Sequence, residues 1–552
     1  MKTRIRFIPI LFVLGVLAVS GLQPVFALRI ETGNDDLEVR WDNNLKYSAM
    51  FRVASKIDEL TLEDAAGTNS PLSSDDGNRN FDPGLVSNRV SLLSEFDIGY
   101  KRMIGIRLSG AAWYDHVYNQ SNDHDAPGRS NTLSVPYDEF LETTEKLHGR
   151  DAELLDYFAW ISAPLGNTGM RGSMKAGQHA LLWGEALFFS GNAIAGLQGP
   201  VDLIKGLSVP ASQAKEIIRP VEQVSAQLSV TPTVALVGYY QLEWEGLRFP
   251  GAGSYFSTSD VGGGGELLRT DMVWPGSGYH HGQDIQARDD GQFGLGVKFR
   301  LKEVDLGVYG INYHAKAPVA YLSPGLGANP AIGKVGEIFF VYPEDIKAYG
   351  LSANYCFGNT VVAAEVGYRQ DSPLTSNTQV VSPGDGADNN SDPRYAIGNG
   401  YTANLSFIMT LNRNFIANSG SLLGEIAWNY LDAIEKNENA LDPYATKEAY
   451  AFRIKYSANY LNALQGLDLT PSISASYSPR GKSSLQLLGV PNEGGDITLG
   501  VDCTYLTVWS ASLSYTHYYG SANTTTNAAG KFNYAQTMAD RNFIAFQINR
   551  TF

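Results

Sequence analysis

The residues with chemistry to offer are few, and their spacing limits what they can do. His280 and His281 stand side by side, while His116, His124, His148 and His314 are isolated. None has a second histidine four residues along a helix, the spacing that brings two imidazoles onto one zinc ion. Gly262 to Gly265 form a run of glycines with no Lys-Ser or Lys-Thr behind it, which predicts a flexible loop and not a phosphate cradle. Asp76, Asn78, Asn80 and Asp82 in DDGNRNFD offer oxygens at alternate positions, as a calcium loop does. The twelfth position from Asp76 is Ser87, where such a loop needs Glu, and its central Gly is missing, so the stretch reads as turn-forming Asn and Asp. Nothing here amounts to catalytic machinery. No enzyme, no cofactor and no metal is expected.

A different set of side chains suits recognition and passage. Residues 181 to 219 read LLWGEALFFSGNAIAGLQGPVDLIKGLSVPASQAKEIIR, with Leu187, Ile194, Leu197, Val201, Leu203, Ile204 and Leu207 among them. That is too apolar for a loop bathed in water. Within it, Trp183, Glu185, Phe188, Phe189, Asp202, Lys205, Lys215 and Glu216 are the candidate constriction or gate, with a short helix expected from about Ser212. An apolar cap on an extracellular rim is the alternative reading.

The elements that must carry these residues are strands. KEAYAFRIKYSANYLN, from Lys447, alternates Tyr450, Phe452, Ile454, Tyr456 and Tyr460 with Ala451, Arg453, Lys455, Ser457 and Asn459. Strict period two makes one face apolar and the other polar. The same grammar recurs in GQFGLGVKFRLK, VVAAEVGYRQ, GDITLGVDCTYL and VWSASLSYTH. Each segment runs about ten residues, enough for a tilted strand to cross an outer membrane. Roughly 18 such strands, within a range of about 16 to 20, are expected between residues 44 and 552. Their connections alternate between tight turns, such as 231–233, 302–304 and 357–359, and long Gly-, Asp- and Asn-rich loops at 56–83, 119–150, 247–289, 317–343 and 372–398. The predicted fold class is therefore all-β: a transmembrane antiparallel β-barrel with short periplasmic turns, long extracellular loops and one inward-folded loop. Aromatics near strand ends, Tyr401, Trp428, Tyr430, Tyr477, Trp509, Tyr518 and Tyr519, suit interfacial girdles.

Parity then assigns the lumen. Arg89, Glu95, Asp97, Arg107, Trp113, Trp160, Tyr239, Lys298, Arg300, Glu365, Arg369, Glu425, Arg453, Lys455 and Asp502 are expected to line it, as either ion-pair ladders or a selectivity surface. Cys356 shares the lumen parity and Cys503 the lipid parity, so no disulfide is expected between them.

The two ends suggest a route. MKTRIRFIPILFVLGVLAVSGLQPVFA carries Lys2, Arg4 and Arg6, an apolar run from Phe7 to Val19, and a small-residue ending at Ala27. This is the pattern of a secretory signal, so residues 1–27 are expected to be cleaved and residues 28–552 to form a single barrel domain. Without those three bases the net charge of −15 becomes −18, which argues against nucleic acid as a partner. At the other end, NFIAFQINRTF places Ile544, Phe546 and Ile548 on the lipid side and Ala545, Gln547 and Asn549 on the lumen side. Phe546, Ile548 and Phe552 look like the signal read by the barrel assembly machinery. Arg550 departs from that signal and is expected to snorkel to headgroups.

Several stretches together resemble the proteobacterial outer-membrane family known as domain of unknown function 1302 (DUF1302). They are DDGNRNFDPGLVSNRVSLLSEFDIGY (75–100), AAWYDHVYNQ (111–120), HGRDAELLDYF (148–158), AGQHALLWGEALFF (176–189), GPVDLIKGLSVPASQAKEIIRPV (199–221), and GYYQLEWE with SYFSTSD (238–260). Gln178-His179 and Pro210-Ala211 stand where the family pattern has Arg-Gln and Pro-Gly. The resemblance implies envelope traffic of lipid-like, steroid-like or other hydrophobic compounds, with outer-membrane lipid and components of an envelope export system as partners. The expected function is a passive outer-membrane channel for hydrophobic or amphipathic small molecules. A general porin for small hydrophilic solutes and a non-conducting anchor are the alternatives.

Overall fold

The computed structural model describes residues 28–62, 70–209, 217–485 and 488–552, and the side chains from residue 30 on. The expected signal segment, Lys215, Glu216 and the helix expected from Ser212 lie outside the described residues.

The strands are β1 (Leu28–Ile30), β2 (Leu37–Arg52), β3 (Gly84–Tyr100), β4 (Ile104–Asp115), β5 (Arg150–Pro164), β6 (Arg171–His179), β7 (Val221–Thr231) and β8 (Val234–Gln241). Next come β9 (Leu267–Arg269), β10 (Gly278–His281), β11 (Phe293–Leu301), β12 (Val304–Tyr313), β13 (Val319–Asn329), β14 (Lys334–Val341), β15 (Ile346–Phe357) and β16 (Thr360–Pro373). The last are β17 (Gln379–Val380), β18 (Ile397–Leu411), β19 (Ser419–Lys436), β20 (Glu448–Leu464), β21 (Leu467–Arg480), β22 (Gly495–Tyr505), β23 (Trp509–Tyr519) and β24 (Phe543–Thr551).

Eighteen of these, all but β1, β9, β10, β13, β14 and β17, pair in chain order, each antiparallel to the next. β24 then returns to β2, from Asn44 opposite Thr551 to Arg52 opposite Phe543, and closes the cylinder. Where β24 ends, β1 takes over the ladder on β2, with Leu28 opposite Trp41. The first barrel strand begins at Leu37, seven residues before the expected start, because that extra length pairs with β3 and β1. The tight ends need unusual backbone: in the three-residue turn 101–103 both Lys101 and Arg102 take φ near +53°, and the Met103 N–H donates back to the Tyr100 carbonyl at 2.9 Å.

Alternation sorts the two faces. Leu295 is 67 % exposed, Leu351 54 %, Leu405 51 % and Leu513 54 %, whereas Glu365 and Glu425, of the opposite parity, are buried inside the cylinder. An exposed belt of this kind matches a lipid-facing wall. On β24, Ile544 and Phe546 lie on the outer face and Ala545 and Gln547 are buried inside. Arg550 shares the outer parity of Ile544 and Phe546 and lies opposite Leu45 and Trp509; it is buried there, with its guanidinium 5.2 Å from the Trp509 ring centroid. Trp428 and Tyr430 stack on the outer face at 6.0 Å, as do Tyr368 and Tyr401 at 4.8 Å. Tyr518 is not part of any girdle. It lies opposite Asp496 on the inner face and packs toward Phe543. Both cysteines are free thiols.

The long loops are not merely polar connections. Residues 317–343, read from sequence as an irregular loop, fold into the β13–β14 hairpin, which joins β17, β10 and β9 in a second, five-stranded sheet. Tyr321, Phe339, Val341, Val381 and Tyr395 bury themselves together there, and this shared core is what a local reading of loop composition misses. The DDGNRNFD stretch is no surface turn either. Asp76–Arg79 form a helical turn and all four residues are buried under neighbouring loops.

Leu405→Arg on the outer face of β18 is expected to lower barrel stability by roughly 2–4 kcal/mol, the depth-dependent figure for a cation on a lipid-facing wall. Reversible urea unfolding in lipid vesicles measures it, with the buried inner-face neighbour left intact.

Candidate functional site

After β6 the chain turns into the barrel. The expected apolar segment runs out along the inner wall and back, and two wall carboxylates hold it. Glu365 on β16 accepts the backbone N–H groups of Glu185 at 2.9 Å and Ile194 at 2.5 Å. Glu425 on β19 accepts three successive N–H groups, from Leu187 at 3.2 Å, from Phe188, and from Phe189 at 2.9 Å. A carboxylate bound this way satisfies backbone donors that a buried loop would otherwise leave unpaired. Asn404 on β18 donates to the other Glu425 oxygen at 2.8 Å and fixes its rotamer.

The approach depends on missing side-chain atoms. A Cβ on Gly184 would sit 2.2 Å from Glu365 Oε2, and Gly184 has φ +94°. A Cβ on Gly350 would sit 2.5 Å from Ile194, so the wall of β15 is notched for that side chain. With the backbone fixed, Trp183 packs between Tyr239 (5.1 Å) and Tyr309 (5.5 Å), in a cluster that includes Ile194, Leu197 and Ile346. Phe189 reaches Ala427, Ala449 and Ala451 on β19 and β20, with Phe188 packed beside it. Glu185 accepts from Asn354 at 3.0 Å, and Arg369 donates to the Gly191 carbonyl at 2.8 Å.

The returning half, 199–209, meets the opposite part of the wall. Asp202 caps the short helix Leu203–Ser208 by accepting from the Lys205 N–H at 2.9 Å. Lys205 Nζ reaches Glu153 on β5 at 2.8 Å, and Arg248 bridges Glu153 (2.7 Å) to Asp202 (3.0 Å). Arg89 and Lys205 both lie over the Trp113 ring, at 4.9 and 5.8 Å. The segment is thus tied to β4 and β5 as well as to β15, β16, β18, β19 and β20.

The remaining expected lining residues fall into separate groups. Arg107 pairs with Glu95, with Asp97 at 3.4 Å and with Asp156 at 3.6 Å, a ladder below the segment. The Trp160 indole lies across Gly105 on the neighbouring strand. Arg453 pairs with Asp496 at 2.6 Å, and Arg300 with Asp305 at 2.6 Å near a tight turn. Lys298 and Lys455 are half-buried and Asp502 is exposed; none of the three is tied to the segment by a described hydrogen bond.

Sequence reasoning missed Gly184, Gln198, Asn192, Asn404, Glu153 and Arg248. Asn192 donates to the Ala403 and Trp428 carbonyls and to Asn404 Oδ1, locking the far bend of the segment to the wall. Asn404 has lumen parity and was findable as such; the others have no local signal. His148 was set aside as isolated. It lies just before β5, where its Nε2 accepts the Gly251 N–H at 3.0 Å and its ring stacks on Tyr118. Burial, helped by the nearby Arg89, pushes this imidazole down to about 3.

A closed antiparallel cylinder with an apolar outer wall and an inner segment pinned across its bore defines an outer-membrane-type barrel. The chain belongs to the family described as protein of unknown function (DUF1302), which matches residues 8–552. No curated protein matches it. Among solved structures it is similar to Acinetobacter baumannii OccAB1, with 10 % identity over 93 % of this chain and 96 % of that one and a TM-score of 0.44. Pseudomonas aeruginosa OccK9 (OpdG) gives 10 % identity over 93 % and 98 %, with a TM-score of 0.42. Salmonella typhi OmpF in complex with daunomycin gives 8 % identity over 95 % and 100 %, with a TM-score of 0.35.

Two outcomes follow from this geometry. Glu425→Ala leaves three N–H groups without their acceptor, and Gly184→Ala displaces Glu365; each is expected to speed amide hydrogen exchange across residues 183–198 roughly 10–100-fold, the equivalent of a lost charged hydrogen bond. Exchange in β20 to β23 should stay unchanged. Separately, the unfolded chain protonates His148 near its ordinary value of 6.5 while the folded chain holds it neutral down to about 3. The unfolded state therefore binds more protons in that window, and stability falls as pH drops through it. Urea unfolding at stepwise pH should show that slope, and His148→Gln should flatten it.

Proposed function

We propose that this protein is an outer-membrane channel through which hydrophobic or amphipathic small molecules pass passively, with residues 181–209 as its gate. One observation carries the reading. Leu182 and Leu207 are 49 % and 40 % exposed although both belong to the inward segment, so beside its buried Trp183, Phe189 and Ile194 the gate also offers apolar side chains to the bore. An ion passing such an edge must shed water with no charge to replace it, whereas an amphipathic solute gains contact area. Supporting this, the charges beneath the gate are mostly neutralised in pairs, Arg107 with Glu95 and Asp97, Arg453 with Asp496, and so form no single-sign filter.

A second reading, a general porin for small hydrophilic solutes, draws on Asp502, Lys298 and Lys455, which remain accessible on the inner wall. Planar-bilayer conductance separates the two. The intact protein should conduct salt poorly, replacement of 182–208 by a short Gly-Ser bridge should raise conductance several-fold, and vesicles holding the intact protein should take up N-phenylnaphthylamine faster than empty ones. Large conductance in the intact protein overturns the gated channel in favour of the porin. No conductance in either form, with no uptake, leaves an anchor.

A further inference from the structure

Beyond the barrel strands, two loops bring Asp75, Asp76 and Asp260 together. Their carboxylate oxygens all lie within 4.8 Å of one another, and all three residues are buried. Three oxygens no more than 4.8 Å apart share a centre within about 2.8 Å of each, a few tenths of an ångström from the 2.3–2.6 Å of a calcium–oxygen bond. Part of the acceptor capacity is already used. Asp75 Oδ2 takes the Arg79 guanidinium at 2.5 Å, Asp76 takes the Asn131 N–H at 2.9 Å and lies 3.3 Å from His124 Nε2, and Asp260 Oδ2 takes the Asp76 N–H at 3.3 Å.

What is left over points to a ligand. Asp75 Oδ1 and Asp260 Oδ1 are buried and accept nothing. Two neutral oxygens of the kind calcium favours join them. Asn80 and Asn131 line the same cleft as Asp76 and Asp260, are 6 % and 2 % exposed, and their Oδ1 atoms also accept nothing. Each amide nitrogen is committed elsewhere, Asn80 Nδ2 to the Gly253 carbonyl at 2.9 Å and Asn131 Nδ2 to the Leu267 carbonyl at 3.2 Å, which fixes which end of the amide is left. Four unpaired buried oxygens, two from carboxylates and two from amides, are a costly arrangement for a protein interior, and the Arg79 guanidinium on Asp75 Oδ2 meets none of them. Burial and mutual repulsion push Asp75 up to about 6 and Asp260 well above the ordinary carboxylate range, the strain that a bound cation would relieve.

We infer that Asp75, Asp76, Asp260, Asn80 and Asn131 form a binding site for one Ca2+ ion, which joins the loop after β2 to the loops after β4 and β8. It is not the linear loop that DDGNRNFD suggests: Asp82 is outside it and pairs with Lys56 at 3.0 Å, while Asp260 comes from 184 residues away. Calcium fits better than magnesium, because five irregularly disposed protein oxygens suit its flexible coordination, whereas magnesium demands a near-ideal octahedron and keeps several waters.

The test uses the full chain in detergent, stripped with EDTA and dialysed against about 1 mM CaCl2, the range of extracellular calcium modules. One Ca2+ per chain by elemental analysis is expected, with Tb3+ luminescence sensitised through Tyr137 in the same cleft and displaced by Ca2+. Asp260→Asn and Asp76→Asn should each weaken binding by more than about 10–100-fold, the loss already seen for outer-shell partners, while Asp82→Asn should not. Because Asp260→Asn removes one of three repelling charges, it should raise the thermal midpoint of the EDTA-treated protein while abolishing the further rise on adding Ca2+; heat-modified mobility on gels confirms that each variant has folded. Absence of bound Ca2+ and Tb3+ in the wild type, or equal binding by Asp260→Asn and Asp82→Asn, overturns the site.

Discussion

Everything in this molecule depends on the pairing of β2 with β24. Until Asn44 meets Thr551 and Arg52 meets Phe543, the sheet has two open edges, each a row of unpaired N–H and C=O groups. In hydrocarbon no water can meet those groups, and each would cost several kcal/mol. Closure removes both edges at once and creates an inside. Only then do buried charges such as Glu365, Glu425 and Arg89 have a place to be, since the same side chains on an open sheet would face lipid or bulk water. The arginines at the rim of the seam belong to this constraint. Arg52 on β2 pairs with Asp540 just before β24 at 3.1 Å, both fully buried, so the two ends of the barrel are also locked ionically where the loops begin.

Within the cylinder the protein manages a second version of the same problem. A loop inside a barrel has no sheet to pair with, and its amides must find acceptors on the wall. Glu365 and Glu425 supply these in the most economical form, one anionic group for two or three donors. The consequence is a segment whose amides are bound by wall carboxylates while Trp183, Ile194, Leu197 and Phe189 pack against the same wall, with Leu182 and Leu207 left exposed. Apolar packing and an ionic anchor therefore hold one arrangement. The same logic explains the glycines: Gly184 and Gly350 are where the wall and the segment come closer than a Cβ permits.

Much of this was legible in the sequence, and the limit is physical. All eighteen barrel strands lie where period-two alternation placed them, because lipid and lumen impose opposite demands on alternate residues. The long and short connections were legible for the same reason, and so was the inward turn of a segment too apolar for a loop. What sequence could not convey was partnership. Glu425 could be placed on the inner wall, but its partners are backbone amides 236 residues away at Phe189, and a backbone amide looks the same at every position. Asp260 likewise has no local reason to be read with Asp76. The β13–β14 hairpin was missed because its core is assembled from β17 and from Tyr395, neither of them near it in the chain. Tyr518 has the lumen parity of Thr516 on β23, and only its place near a strand end suggested a girdle.

The path of the inward segment also sets an order of events. Residues 181–198 precede β16 and β19 in the chain, yet they rest on Glu365 and Glu425. Loops of about 180 and 236 residues must close before those contacts exist, and such distant contacts form late. The seam spans more still, since Asn44 of β2 and Thr551 of β24 stand 507 residues apart. Segment and seam are therefore both late contacts, and the bore is filled as part of the same closure that creates it.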